Sequence, residues 1–146
     1  MPHDNLLQQS IERVWDTLPP VWGKIRENVR SNAIKEYKIT LIQFHVLRHI
    51  RRGAKTAAEI AVRQQISRPA VSHSVDLLVS KHLITRERDT RDRRYIDLEL
   101  TPEGSELLND AFRKSRNWMG QKMSHLTPEE LEIIIQAMAI LKKTYE

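Results

Sequence analysis

Apolar residues recur at helical spacing along most of the chain. Leu7, Ile11, Val14, Trp15 and Leu18 fall at i, i+4, i+7, i+8 and i+11 and predict a helix from about Asp4 to Leu18. Pro19-Pro20 follows, and a proline removes a helix donor and crowds the preceding turn. The helix is therefore expected to kink or restart there and to run on to about Arg30. Thr40-Leu41-Ile42-Gln43 has the form of a capping box and opens a helix to about Arg52, ended by Gly53, with Phe44, Leu47 and Ile50 as its core stripe. Thr56-Ala57-Ala58-Glu59 repeats the capping pattern and opens a short helix to about Gln64. Ser67 caps a third, running to about Ser80, with Pro69 tolerated in its first turn. Val71, Val75 and Leu78 are its buried stripe, while Arg68, Ser72, His73 and Asp76 project elsewhere.

The period then changes from helical to two. Ile96, Leu98 and Leu100 alternate with Tyr95, Asp97 and Glu99, and Leu83 to Arg88 supplies a partner strand for a hairpin. Thr101-Pro102-Glu103 opens a helix to about Ser124, and Thr127-Pro128-Glu129-Glu130 is a third capping box opening the last one. The expected order is four helices, a hairpin and two helices, with no repeat, low-complexity run or linker. The last helix has two apolar stripes, Leu131, Ile134, Ile135, Met138 and Leu141 on one side and Ile133, Ala137 and Ile140 beside it. A surface helix needs only one, so burial against a second copy of the chain is expected.

Charge adds a direction to this picture. The net charge is +5. Residues 35–103 hold 14 Lys+Arg and 9 Asp+Glu, so the whole excess lies in the middle of the chain. Five arginines fall within the nine residues from Arg86 to Arg94. An arginine-tipped hairpin directly after two short helices joined by a tight turn is a winged helix-turn-helix, and its natural target is double-stranded DNA. With no cysteine, disulfides, zinc ribbons and thiol switches are excluded within this chain. The N-terminus lacks a signal-peptide core, and no apolar run approaches the ~20 residues of a membrane span. A soluble cytoplasmic protein without membrane association is expected. No phosphate loop, nucleophile elbow or catalytic carboxylate pair is present, so an enzyme is not expected.

Four stretches carry a family resemblance: Lys38-Ile39-Thr40-Leu41-Ile42-Gln43-Phe44-His45-Val46-Leu47, Ile66-Ser67-Arg68-Pro69-Ala70-Val71-Ser72, Asp92-Arg93-Arg94 and Leu100-Thr101-Pro102-Glu103-Gly104. In these the chain resembles the MarR family of bacterial and archaeal transcriptional regulators. The resemblance implies a mainly α (α+β) fold, a winged helix-turn-helix with N- and C-terminal dimerisation helices. As a single MarR-like domain over 1–146, it would carry its DNA-binding region at 35–105 and its dimerisation helices at 4–31 and 106–146. It implies an obligate homodimer on a pseudo-palindromic operator, often with a small effector in a crevice between the two regions. The expected function is a ligand-responsive repressor. The alternative is a winged helix used for protein contact, or an architectural DNA-binding module that senses nothing.

By position, Ser67, Arg68, Pro69, Ser72 and His73 resemble the major-groove set, and Arg91, Arg93 and Arg94 the minor-groove and phosphate set. Asp92 resembles the carboxylate that orients a wing arginine; Asp89 and Asp92 are also ordinary turn formers. Trp15, Trp22, Arg26, Tyr37 and His45 are candidates for binding a small aromatic or anionic ligand, though tryptophans at helical spacing more often anchor a core or interface. His45 and His49 share the i, i+4 spacing of a metal pair, but no third ligand stands beside them, and neither metal nor cofactor is expected. The family usually has glycine before the first wing strand; here His82 follows Lys81, and a non-glycine residue at a left-handed helix end costs on the order of 1 kcal/mol.

Overall fold

The computed structural model describes residues 1–88, 91, 92, 94 and 96–146. The elements are α1 (Pro2–Tyr37), α2 (Leu41–Arg51), α3 (Ala57–Gln64), α4 (Arg68–Ser80), β1 (Ile84–Arg88), β2 (Ile96–Leu100), α5 (Pro102–Met123) and α6 (Pro128–Tyr145). The chain divides into two compact units, Met1–Ser115 and Arg116–Glu146.

The helix starts follow local chemistry. Thr40 accepts from the Gln43 amide while the Gln43 side chain accepts from the Thr40 amide, a complete capping box, and Thr127 with Glu130 forms another. At α3 only half of the expected box closes. Thr56 accepts from the Glu59 amide, but the Glu59 carboxylate reaches one residue further back and accepts from the Lys55 amide at 2.8 Å. Left-handed residues close three helical segments: Lys38 after α1, Gln65 after α3 and His82 beyond α4, with φ of 52°, 55° and 59°. The strained turn expected at His82 is therefore present. Its carbonyl accepts from the Thr101 hydroxyl at 2.7 Å, which ties the turn to the start of α5.

The restart expected at Pro19-Pro20 does not occur: the prolines lie inside a continuous helix. α1 is one helix of 36 residues that runs past Arg30 to Tyr37. Proline's fixed φ is compatible with a helix; what the pair removes is two backbone donors, which strands the carbonyls of Trp15 and Asp16. Trp15, Asp16 and both prolines are exposed, so water can satisfy those carbonyls. The last turns of α1 bury Val29 and Ala33 in the core, and this packing carries the helix beyond its expected end.

Within the first unit, Phe44 and Leu47 of α2, Ile60 of α3, Val71 and Leu78 of α4, Ile84 of β1 and Leu107 and Leu108 of α5 are fully buried together. β1 and β2 pair antiparallel, from Ile84 opposite Leu100 to Arg88 opposite Ile96. The Leu98 amide of β2 donates to the Lys55 carbonyl at 2.8 Å, so the hairpin is stitched to the segment that leads into α3. The hairpin also needs Gly104: a Cβ there would lie 2.1 Å from the Leu83 carbonyl oxygen. In the second unit α6 buries none of its side chains, and Ile133, Ile135 and Ile140 are 63%, 68% and 66% exposed. Among the described residues no helix is long and apolar enough to cross a membrane.

Candidate nucleic-acid interface

Two short helices set the angle of approach. α3 and α4 are joined by the turn at Gln65–Ser67, and the Ser67 hydroxyl accepts from the Ala70 amide as the cap of α4. Val71, Ser74, Val75 and Leu78 face the core, which turns the opposite side of α4 outward. Arg68, Pro69 and His73 are exposed on that side, and Ser72 is half-buried at its edge. Arg68, Ser72 and Asp76 fall at i, i+4 and i+8 and so line one stripe.

The hairpin stands beside this stripe. Arg86 of β1 reaches across to Asp76, pairing its Nη2 with Oδ1. An open groove of about 330 Å³ lies between them, lined by Arg68, Ser72, Arg86 and Arg94 with Thr56 at one side and Val75, Ile96 and Leu98 beneath. Arg94 is held by Asp92: its Nη2 donates to Oδ2 at 2.8 Å, its Nε to Oδ1 at 3.1 Å and its backbone amide to Oδ1 at 3.1 Å. The Arg94 side chain and then its amide hold the Asp92 carboxyl below the ordinary carboxylate value, and the same pairing raises Arg94. Arg91 is exposed at the hairpin tip. Arg93, Tyr95 and the turn residue Asp89 lie outside the described residues.

This geometry brings a helix of major-groove width and a fixed cation on a hairpin to one surface, as a winged helix on duplex DNA requires. Comparison with known proteins agrees with it. Residues 37–94 match the sequence model of the MarR family. The HTH-type transcriptional repressor MdtR of Bacillus subtilis is 33% identical over 128 residues, spanning 87% of this chain and 80% of the relative. The chain belongs to the MarR family. Among solved structures, the transcriptional regulator Tm0710 from Thermotoga maritima superposes with a TM-score of 0.83 at 25% identity, covering 93% of this chain and 94% of that one. A mutant of MepR from S. aureus, bound to an oligodeoxyribonucleotide, gives 0.65 at 25% identity over 88% and 94% of the two chains. The fold is thus the MarR-type winged helix, and the protein is a transcriptional regulator of that family.

The residues expected to meet a small ligand are spread along α1 and α2. Trp15, Trp22, Arg26 and Tyr37 share one stripe of α1, but Trp15 and Tyr37 are 22 residues apart, about 33 Å at 1.5 Å per residue. Trp15 and Trp22 are 72% and 53% exposed. Tyr37 is half-buried and its hydroxyl donates to Asp110 Oδ2 at 3.2 Å. His45 is half-buried on α2, and burial, then Arg48, His49 and Arg30, lower its pKa. His49 lies 2.6 Å from Gln64 Oε1. Among the described residues no three His, Asp or Glu side chains stand close enough to hold a metal ion.

The sequence placed Asp76 on the outward side of its helix and Arg86 in the arginine run, but gave neither a role in the site. Ten positions separate them, and only the return of β1 along α4 makes them neighbours.

Proposed function

We propose that this MarR-family regulator is a homodimeric repressor that occupies a pseudo-palindromic operator. In this reading α4 enters the major groove, where Arg68 and His73 reach base edges, and the wing lies along the adjacent minor groove with Arg91, Arg93 and Arg94 near phosphates. The dimer forms through α1, α5 and α6, and the protein works in the cytoplasm. The observation that carries the reading is the groove in which Arg68, Ser72 and the Asp92-held Arg94 converge. The MepR mutant bound to an oligodeoxyribonucleotide and the repressor MdtR are precedents for target and sign. Sequencing the genomic fragments that the purified protein retains tests it: one shared, near-palindromic motif upstream of genes is the expected result, and retention without any motif defeats it.

One observation favours an anionic effector. Arg26, Arg48 and Arg52 lie close enough that the outer two, after burial, lower the pKa of Arg48, and Arg48 and Arg30 do the same to His45. Arg48 stacks on the rings of Phe44 and Phe112 at 5.8 and 5.7 Å. No carboxylate among the described residues forms a salt bridge with these cations. A carboxylate ligand would supply the missing charge and pair with the Arg48 guanidinium. Phenolic carboxylates should raise the melting temperature of the wild type and not of Arg48→Ala; equal shifts for both would defeat this reading.

A further inference from the structure

An aspartate on the DNA-facing side of a recognition helix needs a reason, because it repels every phosphate it approaches. Asp76 occupies the middle of that side. At about 100° per residue it falls between Ser72 and His73, one turn further along α4 and opposite the buried Val71, Ser74 and Leu78. Its side chain is 62% exposed. Arg86 grips one of its oxygens, Oδ1, which fixes the rotamer and offsets the charge. Among the described residues the other oxygen, Oδ2, has no hydrogen bond within the protein, and a carboxylate oxygen can accept two.

We propose that Asp76 is a specificity-determining residue that reads cytosine at one position of each operator half-site, through Oδ2 accepting from the exocyclic amino group. The inference rests on the DNA-binding reading of α4. The choice of base follows from the edges that the major groove displays. Cytosine presents an amino donor flanked by the C5 hydrogen, which a carboxylate tolerates. Adenine presents an amino donor flanked by the N7 acceptor, which repels an ionised carboxylate. Guanine and thymine present acceptors to the same oxygen. Arg86 acts as the positioning residue: it holds the carboxylate toward the groove and supplies the cation that lets the pair approach DNA.

The test selects bound duplexes from a randomised pool with the wild-type dimer, Asp76→Ala and Asp76→Asn, and compares the retained sequences position by position. Wild type should retain cytosine at two symmetry-related positions. Asp76→Ala should lose roughly 5- to 100-fold of preference at those positions and keep the rest of the motif. Asp76→Asn should shift the same positions toward adenine, because its amide can donate to N7 while accepting from the amino group. A buttress for Arg86 alone would produce neither change. If both variants retain the wild-type motif with only a uniform loss of affinity, the proposal is overturned. If the wild type enriches no sequence, the DNA-binding reading falls with it, and that outcome is distinct because it appears before any variant is compared.

Discussion

The Asp92 carboxylate grips the Arg94 guanidinium at two points, Nη2 to Oδ2 at 2.8 Å and Nε to Oδ1 at 3.1 Å. The pair orders a cation before DNA arrives. Asp92→Ala is therefore expected to weaken binding although it removes a negative charge that simple electrostatics counts against DNA. Arg94→Ala should lower affinity and flatten its salt dependence by roughly one unit of slope. Affinity measured against salt for both variants decides the matter. Tighter binding by Asp92→Ala, with Arg94→Ala unchanged, would mean that the wing does not engage DNA.

The second expectation concerns the joint between wing and α5. A Cβ on Gly104 would meet the Leu83 carbonyl oxygen at 2.1 Å, and that carbonyl already accepts from the Thr101 amide at 3.1 Å. Backbone cannot yield as a flexible side chain does. Gly104→Ala should destabilise by on the order of 2 kcal/mol or more. Gly120→Ala is the control: it lies in α5 with nothing within 4 Å of the added methyl, and it should gain about 0.5–1 kcal/mol from helix propensity. Urea midpoints for the two variants should move in opposite directions.

What the chain disclosed beforehand was what is decided locally. The caps at Thr40, Ser67 and Thr127 depend on residues three apart and were legible, while the Asp92–Arg94 pair was approached only through the family resemblance, which marked Asp92 as orienting a wing arginine without saying which. The burial of Phe44, Leu47, Val71 and Leu78 follows from period alone. Contacts made by the packed fold were not legible. Asp76 meets Arg86 only because β1 returns along α4, and Leu98 meets the Lys55 carbonyl across 43 residues. The restart expected at Pro19-Pro20 is absent for a related reason. The rule weighs two lost hydrogen bonds against a local helix, whereas here a 36-residue helix anchored by Val29 and Ala33 absorbs them. Gly104 stood in the motif with its reason hidden, since the carbonyl that forbids a side chain belongs to Leu83.

Acid should weaken the fold in two separable steps. Burial, then Arg48 and other cations, hold His45 below its ordinary pKa, so the unfolded chain takes up a proton that the folded chain refuses. That cost appears as pH drops below about 6.5. Asp110 has the opposite bias: the Lys114 side chain above all, then Tyr37, keep its carboxyl below the ordinary value. Its contribution is complete above about pH 4 and fades as pH falls through the lower folded value. Urea midpoints against pH should show one decline below about pH 6.5 from His45 and a second at lower pH from Asp110. His45→Gln should remove the first and Asp110→Asn should reduce the second; an unchanged profile in either variant contradicts the assignment.

The last expectation concerns α6. None of its side chains is buried, yet it carries Ile133, Ile134, Ile135, Met138 and Ile140, all exposed. Its N-terminus is well formed, with Thr127 and Glu130 closing a complete cap. A helix so capped and so apolar has been shaped for burial, and lone exposed leucines or isoleucines on ordinary surfaces do not cluster in this way. The same holds for α1, where the stripe that buries Val29 and Ala33 continues outward to the exposed Trp22 and Trp15. Association of two copies would remove both surfaces from water at about 25 cal/mol for each Å² of apolar area. The protein should therefore scatter light as a dimer at micromolar concentration. Lysine at both Ile134 and Met138 would place charges in that interface without a partner, and should yield monomer or insoluble protein. Because the variant could fail through solubility alone, the wild-type mass is the deciding measurement: a monomer at micromolar concentration would leave the apolar faces without this explanation.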